Sequence, residues 1–174
     1  MAGSLIKIDE EIVTSAVASV TLTGIDSTYD VYQVVLNNVK PVDDSRTLRV
    51  RFTSSGTAIT SSDYDEATKM LRTDTTFTNE SGTNSDLLSV FVATGTGTGE
   101  QANAIMYCFN FNNASEYSFV TVENTIFDDS ARLRGKQGGA VLTLAQACDG
   151  LNFFMTSSSN IDTGSKFSLF GLKK

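Results

Sequence analysis

Hydrophobic and polar residues alternate along most of this chain, and a period of two residues is typical of half-buried β-strands. The alternation is sharpest in the segment LRVRF, where hydrophobic residues beginning at Leu48 lie on one side and Arg49 and Arg51 line the other. Because successive side chains of a strand point to opposite faces of its sheet, we expect the hydrophobic side of this segment to face a core.

The C-terminal segment Gly150–Lys174 shows the same period twice. Hydrophobic residues around Phe153 form one run, Phe167 and Leu169 form another, and the polar residues Thr156–Ser165 lie between them. Clusters of Ser, Asn, Asp and Gly are typical of turns. This pattern predicts a two-stranded unit that closes a sheet, docks on the core and leaves only the terminal lysines in water.

Further alternating segments raise the expected total to about eight to ten strands with turns at regular spacing. They are Ala18–Leu22, Tyr29–Val39, Asp86–Ala93, Ala104–Phe111, Tyr117–Phe127 and Ala140–Leu144. The second of these is hydrophobic on both sides in its middle, which predicts a central position in its sheet. No helical periodicity alternates with the strands, so the sequence predicts an all-β, single-domain protein, an antiparallel β-sandwich or barrel.

The segment Ser61–Arg72 leaves two alternatives open. It fits a short helix over Asp63–Leu71, capped by Ser62, with acidic residues early and basic residues late as the helix dipole prefers. It also fits a strand entered through Tyr64. The polar segment that follows, Thr73–Asn84, predicts turns or an exposed loop.

The N-terminus also leaves two alternatives open. Residues 1–13 fit a strand, or a short arm that reaches a neighbouring subunit, ahead of a sandwich domain at residues 14–174. In either case Leu5, Ile6 and Ile8 are its hydrophobic residues and candidate partner contacts.

A basic cluster stands out in the charged segment Asp128–Gly139. It contains Arg132, Arg134 and Lys136, although the whole chain is acidic. The pattern predicts a solvated loop, or a contact with an acidic surface of a second copy or a scaffold. The three residues are therefore the second set of candidate partner contacts.

Composition narrows the classes of partner. The chain has 174 residues, a net charge of −7 and a pI near 4.5. An acidic domain lacks the basic surface that attracts nucleic acid or an anionic membrane, so we expect neither partner. Cys108 and Cys148 lie in hydrophobic segments, which predicts two buried, reduced thiols. The N-terminus carries acids where a signal peptide has its hydrophobic core, and no segment is long enough to span a membrane, which predicts folding in a cytosol.

Catalytic chemistry has little support in the sequence. Histidine is absent, which excludes Ser-His-Asp and Cys-His sites and histidine-based zinc sites. Three aspartate pairs lie in turns or at the starts of elements, where aspartate commonly bonds the local backbone. They are Asp43 with Asp44, Asp63 with Asp65, and Asp128 with Asp129. Together with Glu66, the middle pair offers oxygen ligands for calcium, but without the EF-hand spacing. We therefore expect no catalytic residue, no cofactor and no metal.

Two further features have candidate binding roles. The tract Thr94–Gly99, TGTGTG, lacks the Lys-Ser/Thr pair of a phosphate-binding loop and predicts a flexible loop. Tyr29, Tyr32, Tyr64 and Tyr117 are candidates for stacking on a sugar ring, since tryptophan is absent. We expect each to be a core or sheet-edge aromatic whose hydroxyl is hydrogen-bonded.

Three stretches together resemble a family of small structural proteins of tailed bacteriophages, especially those of marine bacteria. The first is Ser19–Val35, a strand, a turn before Ser-Thr-Tyr and a long hydrophobic strand. The second is Leu48–Phe52, followed by a glycine turn and Ser62–Tyr64. The third is Asn160–Leu172, in which an isoleucine and a glycine turn precede a Phe-Ser-Leu strand and an aromatic-Gly-aliphatic end. The sequence departs from the family at Phe170, where tyrosine is expected.

The resemblance implies a jelly-roll-like β-sandwich without enzymatic activity, assembled in the host cytoplasm and displayed on the virion. The expected role is a capsid decoration (cement) protein that binds the outside of the major capsid protein lattice as a homo-oligomer, with a trimer as one form. The small single domain and the lack of a coiled-coil shaft favour this role. The alternatives are a tail or head fibre module that binds the host surface, and a free-standing carbohydrate-binding β-sandwich.

Overall fold

Residues 4–173 are described by a computed structural model of the chain and form thirteen β-strands and one 3₁₀ turn, Thr156–Ser158. No α-helix occurs within these residues. The strands are β1 (Ser4–Ile12), β2 (Ser19–Thr23), β3 (Val31–Val39), β4 (Arg46–Ser54), β5 (Thr57–Ala58), β6 (Tyr64–Arg72), β7 (Thr78–Ser85), β8 (Leu88–Thr94), β9 (Ala102–Phe109), β10 (Ser118–Phe127), β11 (Leu133–Leu142), β12 (Gly150–Met155) and β13 (Lys166–Lys173).

The strands form two antiparallel sheets with one hydrophobic core between them. The larger sheet has eight strands in the order β1-β13-β3-β9-β10-β11-β6-β7. The smaller has the order β2-β12-β4-β5, with β8 also paired to β4. The expected all-β, antiparallel β-sandwich is therefore confirmed, and β3 lies inside its sheet as its two hydrophobic sides predict. The jelly-roll arrangement in particular stays a prediction.

The core is built from the inward side of most strands. Leu48, Val50 and Phe52 of β4 are fully buried, as their alternation with the arginines predicts. The ring of Phe52 contacts those of Tyr64 and Phe111 at centroid distances of 5.4 and 4.5 Å. Burying one such side chain stabilises the fold by about 1.5–3 kcal/mol. These rings join the smaller sheet, which contains β4, to the larger sheet, which contains β6.

The C-terminal strands exist as predicted, but they do not form a two-stranded unit. Strand β12 lies between β2 and β4 in the smaller sheet, and β13 lies between β1 and β3 in the larger sheet. The two strands face each other across the core, where the rings of Phe153 and Phe167 are 5.3 Å apart. The polar connection spans the roughly 10 Å between stacked sheets instead of making a hairpin. Strand β13 is thus not the strand that closes its sheet.

The segment Ser61–Arg72 is a strand, β6, and the helix alternative is wrong. Tyr64, Thr68 and Met70 are buried, and Lys69 between the last two is exposed, which is the period of a strand. β6 pairs with β11 on one side and β7 on the other. The expected loop at Thr73–Asn84 is also wrong from residue 78 onward, because β7 is a polar strand at the edge of the larger sheet. Pairing with β11 and β7 decides the first segment and pairing with β6 decides the second, and the local sequence encodes neither.

The N-terminal residues that the structure describes form a strand rather than an arm. β1 pairs with β13 from Ser4 to Ile12, with a register shift between Lys7 and Asp9. It is the edge strand of the larger sheet, so one side of its backbone has no strand beside it. Residues 1–3 of the expected arm lie outside the described residues.

Both cysteines are buried free thiols, as predicted. Burial raises the pKa of the Cys108 thiol above its usual range and raises the pKa of Cys148 to about 11. The Thr94–Gly99 tract follows β8 and leads toward β9, and Thr94 itself is buried as the last residue of β8.

Candidate functional site

The basic segment predicted as a solvated loop is instead part of β11. Lys136 is only 2% exposed and Arg134 is also buried, since both point into the space between the sheets. Arg132 lies just before the strand and keeps part of its guanidinium in solvent. Burial leaves Arg134 and Lys136 almost no side-chain surface for a partner. The prediction failed because β11 alternates between charged inward residues and small or polar outward residues, which looks locally like a loop.

Lys136 makes its contacts within the core. Its Nζ donates to the Ser89 carbonyl at 2.8 Å and lies 3.4 Å from Glu66 Oε2. Its backbone N–H donates to Asn124 Oδ1 at 2.9 Å. Burial lowers the pKa of Lys136, and the Glu66 carboxylate opposes part of that change. The lysine therefore links β6, β8 and β11 across the sandwich.

Asp128 holds the turn before β11 in place. The carboxylate is fully buried and accepts hydrogen bonds from the backbone N–H groups of Ser130 and Arg132, both at 2.9 Å. Its Oδ2 lies 2.5 Å from Arg134 Nε and 3.1 Å from an Arg132 nitrogen. Burial alone would raise the pKa of Asp128, but the hydrogen bonds from Arg132 and Ser130 and the nearby charge of Arg134 together hold it below its usual value. The contacts indicate a structural role for this aspartate.

The candidate sugar-stacking tyrosines are divided between the core and the surface. Tyr32 and Tyr64 are buried, and their hydroxyls donate to the carbonyls of Asp26 and Ile59. The expectation of satisfied core aromatics is confirmed for these two. Tyr117 is exposed beside the β9–β10 turn. Within residues 4–173, no group of three or more His, Cys, Asp or Glu is placed to hold a metal ion, the Asp63 region included.

Exposed hydrophobic residues cluster on the side of the eight-stranded sheet that faces away from the core. We call this side the outer face. In β9, Ala104, Met106 and Cys108 point inward, whereas Ile105 and Tyr107 point outward and are 43% and 38% exposed. The larger side chains of this strand therefore face solvent, and the smaller hydrophobic ones pack toward the smaller sheet.

Hydrophobic residues continue across six strands of the outer face in one row. The registers place each next to its neighbour, with the β13–β3 register continued by one residue to set Leu172 beside Val31, and Phe119 is 44% exposed. In the order β1, β13, β3, β9, β10 and β11, the row is Leu5, Leu172, Val31, Phe109, Phe119 and Val141. Of the predicted arm contacts, Leu5 thus belongs to this row. Ile6 and Ile8 lie elsewhere, and Ile8 packs against the core.

Two depressions lie next to this row. One, of about 270 Å³, is lined by Ile105, Tyr107, Thr121, Glu123 and Gln137 among others. The other, of about 340 Å³, adjoins it and shares Ile105 and Glu123 in its lining. The Tyr107 hydroxyl accepts a hydrogen bond from Gln33 Nε2 at 2.8 Å, which holds the ring in place. The outer face therefore combines fixed aromatic and aliphatic groups with shallow, partly polar recesses.

Charged residues are few in the middle of the outer face. Glu123 of β10 lies opposite Gln137 of β11, which lies opposite Lys69 of β6. Within residues 4–173, neither Glu123 nor Lys69 makes an ion pair or a hydrogen bond through its side chain. Both charges are therefore available to a partner.

Comparison with known proteins adds no relative. No family model matches the sequence, and no match is found among the curated proteins or the solved structures. No helix in residues 4–173 is long and hydrophobic enough to cross a membrane.

The outer face was not identified from the sequence. The available signal was the alternation in β9, where residues on both sides are hydrophobic. Local sequence does not tell which of the two sides a second sheet covers.

Proposed function

We propose that this protein is a structural component of a bacteriophage particle, and that it acts as a decoration protein on the outside of the major capsid lattice. The resemblance of three stretches to small phage structural proteins supports the first part of this proposal, that the protein belongs to a phage particle. The observation that carries an assembly role is the row of exposed and half-buried hydrophobic residues across the outer face, because contiguous exposed apolar patches mark interaction sites.

The size of the outer face suits a stable protein contact. Eight strands about 4.8 Å apart, each about eight residues long at about 3.3 Å per residue, give a flat area of about 1000 Å². A standard protein–protein interface buries about 800 Å² on each partner. The outer face is therefore large enough for one such contact.

A decoration protein of this kind acts by mass action. It binds the expanded capsid lattice and not the immature or disrupted lattice, so it stabilises the expanded form by its difference in affinity. No catalytic step is part of this function. The described fold suits it, because a rigid sandwich presents the same contact surface in every copy.

The experiment is a binding assay with empty, expanded capsids of the phage that encodes the chain. We expect the purified protein to sediment with expanded capsids, to raise their melting temperature, and to bind immature capsids weakly. We also expect its peptides in purified virions by mass spectrometry. Absence from virions together with no binding to expanded capsids would contradict the proposal.

One feature favours a second candidate function, carbohydrate binding. The smaller depression combines an exposed tyrosine, Tyr107, with the polar side chains of Glu123 and Gln137, and such combinations of stacking and hydrogen-bonding groups suit sugars. A glycan array tests it. Binding to a defined glycan that is lost in Tyr107→Ala, with no binding to capsids, would favour a fibre module or a free-standing carbohydrate-binding sandwich.

A further inference from the structure

Strand β9 is central to the outer face. It is the fourth strand of eight, and its outward residues are Asn103, Ile105, Tyr107 and Phe109, none of which is charged. In a two-fold dimer made by stacking one surface on its own copy, residues on the symmetry axis meet themselves. Such residues must be uncharged, since like charges directly opposite each other repel. The outward residues of β9 satisfy this requirement along the whole strand.

We propose that the outer face is covered by a second copy of this chain, stacked face to face about a two-fold axis that runs along β9. The proposal rests on the proposed function only in taking the outer face as the assembly surface. It commits to the second copy as the occupant of that face, and any capsid contact then uses the remaining surface of the dimer.

The charges next to β9 distinguish this axis from its neighbours. An axis along β10 would place Glu123 against itself. An axis along β3 would place Glu123 of one copy over Glu10 of the other. The reason is that β10 and β1 are each two strands from β3, and the two glutamates lie in the same row. An axis along β9 instead lays Glu123 over Val35 rather than over a carboxylate, and it lays Glu10 over Lys69, a residue of opposite charge, since each of these two is three strands from β9.

An axis along β9 also places hydrophobic residues of one copy over hydrophobic residues of the other. The strands on either side of it are β3 and β10, so the axis brings Val31 of one copy over Phe119 of the other. Ile105 and Tyr107 meet their own copies, which buries the two exposed residues of β9. An axis along β11 would leave β1, β13 and β3 outside the overlap, together with half of the hydrophobic row. The β9 axis therefore covers all six residues of the hydrophobic row.

The oligomeric state tests the proposal directly. Size-exclusion chromatography with light scattering on the full chain should give the mass of a dimer. Ile105→Lys should give a monomer, with the dimer dissociation constant raised about 100-fold or more, because two ammonium groups would be buried together on the axis. Val42→Lys is the matched control, since Val42 is 45% exposed but lies outside the outer face, and it should stay a dimer. Circular dichroism checks that each variant is folded.

Cross-linking tests the position of the axis. Stacked sheets lie about 10 Å apart, too far for a direct disulfide, which needs Cα atoms within about 7 Å. A short bis-maleimide should therefore link Ile105→Cys into a dimer and should not link Val42→Cys. The two native thiols are buried and should not react.

Each outcome separates the inference from the proposed function. A monomeric or trimeric wild type, an Ile105→Lys dimer of unchanged affinity, or no cross-link at position 105 would overturn the inference. If a wild-type monomer still bound expanded capsids, the inference would fail and the proposed function would stand. If the dimer formed but bound no capsids and was absent from virions, the proposed function would fail and the inference would stand.

Discussion

Replacing Lys136 by methionine tests whether the basic segment is buried as the structure has it. The side chain is 2% exposed, and its Nζ contacts the Ser89 carbonyl and the Glu66 carboxylate. Removing one partner of a buried ion pair costs about 3–5 kcal/mol, because the other charge stays buried without compensation. Glu66 keeps 18% of its side chain exposed and still accepts a hydrogen bond from the Ser89 N–H. We therefore expect a loss at or just below the lower end of that range, about 2–3 kcal/mol for Lys136→Met.

The assay is urea unfolding followed by far-ultraviolet circular dichroism, since the chain has no tryptophan to report by fluorescence. Lys69→Met is the matched control, because Lys69 is an exposed lysine on the adjacent strand, and such substitutions stay within about 0.5 kcal/mol. Lys136→Met combined with Glu66→Gln removes both charges and should return to within about 1 kcal/mol of wild type. A Lys136→Met midpoint equal to that of Lys69→Met would refute the reasoning and support a solvated loop.

Three other properties follow from the described contacts. Phe153→Ala and Phe167→Ala should each lower the free energy of unfolding by about 3–5 kcal/mol. In the double variant the summed loss should fall short of additivity by about 0.5–1.5 kcal/mol, because the two rings pack on each other. Additive losses in urea unfolding would contradict that contact. Lys166 and Lys7 lower the pKa of Glu10 from 4.5 to about 2, so its contribution to stability is present above pH 4.5 and lost as the pH falls through about 2. Glu10→Gln should therefore flatten the acid side of the stability profile over that range, and parallel profiles would count against the ion pairs. Cys108 and Cys148 should react with a thiol reagent only after unfolding, and rapid labelling of the native protein would argue against their burial.

The N-terminal strand changes what a truncation is expected to do. Residues 1–8 include about half of β1, which pairs with β13 and supplies Leu5 to the outer face. If this segment were a free arm, its removal would leave the stability of the sandwich unchanged and affect assembly alone. Because it is an edge strand, its removal uncovers part of β13 and should lower both stability and assembly. Urea unfolding of the truncated chain distinguishes the two cases.

Most strands could be predicted because their signal is local. In β4, β9, β10 and β12 the period of two residues is visible in the sequence, and it is a property of the extended backbone itself. The same local rule left Ser61–Arg72 undecided, because charges placed as a helix prefers competed with a strand pattern that pairing with β11 and β7 stabilises. It failed at β7, whose polar residues resemble a loop until β6 provides a partner.

The sequence by itself thus determined the fold class, the positions of the clearest strands and the burial of both cysteines. Only the tertiary structure decided which sheet each strand joins, which side of β9 is covered and where Lys136 and Arg134 point. The physical reason is that alternation defines two sides of a strand but does not say which side another sheet will cover. That choice depends on partners distant in sequence, such as β12 and β13, which are neighbours along the chain and lie in opposite sheets. The outer face follows from the same choice, and so could not be read from the residues that form it.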